Sequence, residues 1–173
     1  MKTGEWVMLL YWLPREPSTP RIAMWRRLKR LGVGQLGDGL VALPHDPRTR
    51  EQLDWLAERV VEAGGTATTW LARPTTAQTG EALAAQLAAA RADEYRHVLA
   101  EAGAAADLEP TARRAALRRL RDELHRIGRR DHFPPPERDA ARAAVTALAP
   151  DELAPDELAL GRAGSGHPMR AGA

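Results

Sequence analysis

The stretch VGQLGDGLVALP, residues 33–44, decides the fold. Two short apolar runs, VGQL and LVALP, flank Gly37-Asp38-Gly39, where glycine accommodates positive φ, so the segment predicts a β-hairpin. Upstream, Trp25, Leu28 and Leu31 recur at helical spacing and Gly32 supplies a C-terminal stop, which predicts an amphipathic helix over 21–31 with Trp25 as its core anchor. Replacing Trp25 by alanine should then cost about 3–5 kcal/mol. Further back, residues 5–13 read as a strand buried on both faces and stopped by Pro14 and the turn-rich PREPSTP. Downstream, PHDP reads as a strand exit with Asp46 capping, Thr49 and Gln52 match a capping box, and Leu53, Leu56, Ala57 and Val60 make the apolar stripe of a helix over 49–64. TATTWLAR, residues 66–73, is a strand closed by Pro74.

The order β, α, β, β, α, β within residues 1–74 is the split βαβ pattern of a ferredoxin-like sandwich, α+β in class, with strand order 4, 1, 3, 2 and both helices on one sheet face. The second face needs a cover, because apolar residues project from both sides of the first strand. Residues 75–149 can supply it as a helical annex. Leu83, Leu87, Tyr95 and Val98 lie on a long helical pattern over 77–106, and Leu117, Leu120, Leu124 and Ile127 lie on a second over 110–130. FPPPE then breaks the chain before a short helix over 136–149. Residues 150–173, with the tandem repeat APDELAPDEL and a glycine-rich end, read as a disordered tail.

Composition narrows the function. The chain has 173 residues and no cysteine, which excludes disulfides, thiolate metal sites and thiol-based reduction, and suits a reducing cytoplasm. The longest apolar run, WVMLLYWL, is too short for a membrane helix, which takes about 20 residues, and no leader precedes it, so a soluble cytoplasmic protein is expected. A formal net charge of +2 says little about partners, so local clustering has to carry any such reading. No phosphate loop, nucleophile elbow or dinucleotide glycine pattern occurs; neither catalysis nor a cofactor is expected. Glu94 and His97 have an i, i+3 spacing that can place two metal ligands on one helix face, but no second E-x-x-H accompanies them, so no metal site is assigned.

The cations remain. Arg21, Arg26, Arg27, Lys29 and Arg30 share one helix that contains no acid, and i, i+3, i+4 geometry puts Arg26, Lys29 and Arg30 together on its outer surface. Arg114, Arg118 and Arg121, with His125, line one side of the later apolar stripe. Two readings stay open for that second row: contact with a polyanion, or pairing with acids of the preceding helix such as Asp93, Glu94 and Glu101.

EWVMLLYWLPREPSTPRIAMWRRLKRLGVGQLGDGLVALP resembles the opening of the chromate resistance regulator family ChrB, with its LP, PS, WRRLK and LG arrangement. ARADEYRHVL and RRDHFPPPERDAARAAV are similar to later helices of that amino-terminal domain, so the resemblance covers about residues 5–149. It implies a DNA-associated transcriptional regulator or accessory factor in chromate resistance, in a family whose longer members carry a further carboxy-terminal domain. The front portion also resembles the ferredoxin-like domain of PaaX-type repressors and of small CRISPR adaptation nucleases. Nuclease chemistry does not carry over, because Tyr11 is followed by Trp12 where those enzymes place an Asp. DNA, a homodimer partner and chromate or another oxyanion are the expected partners. An oxyanion sensor (with Arg73 or Arg21 near a helix start as a contact) and a protein-protein assembly module remain alternatives.

Overall fold

The computed structural model describes residues 4–149. Strand β1 (Trp6–Trp12), helix α1 (Thr19–Leu31), strands β2 (Gly34–Gly37) and β3 (Leu40–Pro44), helix α2 (Pro47–Glu62) and strand β4 (Thr66–Ala72) come first. Helices α3 (Ala77–Ala106), α4 (Pro110–Gly128) and α5 (Glu137–Ala147) follow. The strands form one antiparallel sheet in the order β2-β3-β1-β4, the expected ferredoxin-like topology. The hairpin needs its glycine: Gly39 has φ +74°, and a Cβ there would strike the Tyr11 carbonyl.

Alternation along β1 divides the molecule into layers. Val7 and Leu9 point to one face and pack with Met24 and Leu28 of α1 and Leu53, Leu56 and Val60 of α2. Trp6 points to the other, where Ala42, Leu83 and Leu87 close over it and Phe133 stacks at 5.9 Å between ring centroids. Beyond this, α3 continues past the sheet and packs with α4 and α5 around Tyr95, Val98, Leu120, Ile127 and Val145.

Three expectations need correction. Trp25 is not a core anchor: it is 56% exposed, while Met24 and Leu28 are 5% and 6% exposed. The helix presents Met24 to the sheet because Met24 and Leu28 are i, i+4 neighbours and so share its inner stripe. The strand over 5–13 is covered on both faces only at its start, since Leu10 and Trp12 on the Trp6 face are 50% and 60% exposed. Finally, α2 begins two residues before Thr49, and its capping box joins Asp46 to Thr49, not Thr49 to Gln52. The Thr49 amide donates to Asp46 Oδ1 at 2.8 Å and the Asp46 amide donates to Thr49 Oγ1 at 3.0 Å. The Thr49 hydroxyl also donates to the Pro44 carbonyl at 2.6 Å, tying the helix start to the end of β3. The segment 150–173, expected as a tail, lies outside the described residues.

Candidate nucleic-acid interface

Helix α1 carries its cations outward because Met24 and Leu28 fix the inner stripe. Arg21, Arg26, Lys29 and Arg30 are exposed and Arg27 is half-buried. Among the described residues none of the five forms an ion pair with a carboxylate. The five divide between two flanks. On one, Arg21 and Arg26 line an 870 Å³ surface depression with Trp12, Trp25 and a single acid, Asp38, and the Lys29 ammonium lies 4.4 Å from the centre of the Trp25 ring. Exposed Trp25 therefore acts as a shelf for the lysine. On the other flank, Arg27 and Arg30 face α2, with the Arg27 guanidinium 4.7 Å from the Trp55 ring centre.

Helix α4 packs on α3 and α5. Its row Arg114, Arg118 and Arg121 is exposed and makes no ion pair among the described residues, whereas the opposite flank is neutralised: Arg119 reaches Glu101 at 2.6 Å and Arg126 reaches Glu123 at 2.6 Å. Pairing with acids of the preceding helix thus holds for Arg119, whereas Arg126 pairs within α4, and the row that runs through His125 has no such partner among the described residues. Steps of three and four residues carry that row onward to Arg129, at the C-cap of α4. Arg129 lines a 740 Å³ cleft together with Arg27 and Arg30 of α1 and Arg48 of α2. The two predicted cationic segments thus meet at their C-terminal ends. Arg48, Arg129 and Trp55 escaped the sequence reading because three distant segments supply the cleft and no local spacing marks it.

The other candidates are otherwise engaged. Glu94, half of the E-x-x-H pair, accepts from Arg91 at 3.1 Å and meets Arg130 at 3.0 Å, while His97 turns to Glu101 at 3.0 Å. No group of three His, Cys, Asp or Glu able to hold a metal occurs among the described residues. Arg73 donates to Glu5 at 2.7 Å, and that hydrogen bond, with the guanidinium charge, holds the exposed Glu5 carboxyl below its ordinary range. Arg73 is thus engaged with Glu5 at the sheet edge. Burial pushes His132 down, favouring its neutral form. Tyr95 donates to Asp131 at 2.9 Å, and burial with this bond raises its phenol to about 12, so the ring is a neutral structural strut joining α3 to the segment after α4.

Fold and surface together define a ferredoxin-like α+β protein with a helical annex and unneutralised arginine rows, and among the described residues no helix is long and apolar enough to cross a membrane. The chain belongs to the family described as Protein ChrB, N-terminal, whose match covers residues 21–110, more than half of its length. It is 38% identical over 60 residues to Protein ChrB of Cupriavidus metallidurans (strain ATCC 43123 / DSM 2839 / NBRC 102507 / CH34), a match that spans 35% of this chain and 18% of that protein. No solved structure matches it.

Proposed function

We propose that this chain is a cytoplasmic, non-catalytic, DNA-associated regulator or accessory factor in chromate resistance, acting as a homodimer. Membership of the ChrB amino-terminal family supports the chromate setting. The observation that carries the DNA reading is the outer surface of α1, where Arg26, Lys29 and Arg30 stand exposed with no carboxylate partner among the described residues. Like charges at helical spacing repel by a few tenths of a kcal/mol per pair, so an arrangement of this kind is relieved by an external anion. Guanidinium forks suit phosphate oxygens, and such contacts position a protein on a duplex without reading bases.

The test is a salt titration of duplex binding. Changing Arg26, Lys29 and Arg30 together to Gln leaves the fold intact, weakens binding alike on unrelated sequences, and flattens log affinity against log salt by about 0.9 for each lost phosphate contact. Parallel slopes for wild type and triple variant would remove α1 from the interface.

A further inference from the structure

We infer that the cleft between α1, α2 and the end of α4 is a binding site for a phosphoryl-type oxyanion, held by Arg27, Arg30, Arg48 and Arg129. Four guanidiniums from three elements line its 740 Å³, against one acid, Glu51. None of the four makes an ion pair among the described residues. Helix dipoles account for two of them: Arg30 is in the last turn of α1 and Arg129 caps α4, where cations are favoured. They do not account for Arg48, which sits in the first turn of α2, where the dipole opposes a cation and the N-cap carboxylate, Asp46, is bonded to the Thr49 amide. Nor do they account for Arg27, half-buried in mid-helix. An anion between these groups satisfies all four.

The cleft is preorganised. Arg27 rests on Trp55 at 4.7 Å, and Arg59, 5.5 Å from the same ring, is held to Glu62 at 3.2 Å. A guanidinium fixed over an indole face keeps its N–H edges free for a bidentate acceptor, so Trp55 is a positioning residue and Arg27 the contact.

The chemistry fits two sources, a free anion or a phosphodiester of the nucleic-acid backbone, and calorimetry with inorganic pyrophosphate beside duplex binding separates them. For a free anion, pyrophosphate binds the full chain, and Arg48→Gln with Arg129→Gln weakens it by about tenfold or more at unchanged melting temperature. Trp55→Leu weakens it too, whereas Trp55→Phe, which keeps a ring face under Arg27, restores most of the affinity. For a backbone phosphodiester, pyrophosphate gives no heat, but the double variant flattens the duplex salt slope by about 1.8, two contacts at 0.9 each. No pyrophosphate binding together with an unaltered duplex slope overturns the site. Duplex binding that persists with that unaltered slope leaves the α1 reading standing without the cleft, and pyrophosphate binding without any duplex binding does the reverse.

Discussion

At the scale of single residues, the pair Met24-Trp25 shows what a sequence can and cannot fix. Apolar spacing identifies α1, yet Met24 with Leu28 and Trp25 with Lys29 are both i, i+4 pairs on adjacent faces. Size favours the tryptophan, but the sheet takes the methionine, and the ring instead lies along the lysine, its centre 4.4 Å from the ammonium. The consequence is a reversal of the expected mutational order. Met24→Ala costs about 2–5 kcal/mol by opening the core beside Leu28 and Leu53. Trp25→Ala, at a half-exposed site, stays below about 1 kcal/mol in thermal or urea unfolding. A larger loss for Trp25 than for Met24 would show that the side chains exchange places in solution.

At the scale of elements, order and topology were legible because alternation, helical spacing and glycine turns agree over residues 5–74, whereas helix starts were less so. PHDPRTREQ offers two overlapping caps, Asp46 with Thr49 and Thr49 with Gln52. Pro47 decides between them: its fixed φ suits a first helical position, and the chain accordingly enters α2 directly after Asp46. Two substitutions separate the alternatives. Asp46→Ala removes the acceptor of the Thr49 amide and costs about 1 kcal/mol. Gln52→Ala, which touches neither cap bond, stays within about 0.5 kcal/mol. Equal losses in denaturant titration would contradict this cap. The arginine cleft was not legible at this scale, since nothing in α1, α2 or α4 taken singly tells that Arg27, Arg48 and Arg129 converge.

At the scale of the whole molecule, the two edges of the sheet are unlike, and the difference bears on the proposed homodimer. β2 is four residues long, is irregular between Gln35 and Gly37, and receives a bond from Gln86 of α3 at 3.5 Å. Such an edge is blunted against pairing. β4 is seven residues long, TATTWLA, with neither charge nor proline, and pairs only through its β1 side among the described residues. Beside it, Trp70, Leu10 and Trp12 leave an apolar strip on the sheet face that α3 does not cover, at 59%, 50% and 60% exposure. A strand edge is self-complementary under a two-fold axis, so antiparallel β4 to β4 pairing of two copies would satisfy both rows of amides and carbonyls and bring the strips together. That dimer would also present α1 twice at a fixed separation, multiplying phosphate contacts on one duplex. The expected outcome in analytical ultracentrifugation is a wild-type dimer and a folded monomer for Thr68→Lys with Trp70→Glu, which charge the strip without touching the Val7 and Leu9 core. The monomer should also show a shallower salt dependence on DNA, because each chain then neutralises phosphates alone. A wild-type protein that sediments as a monomer at high micromolar concentration would rule out this assembly.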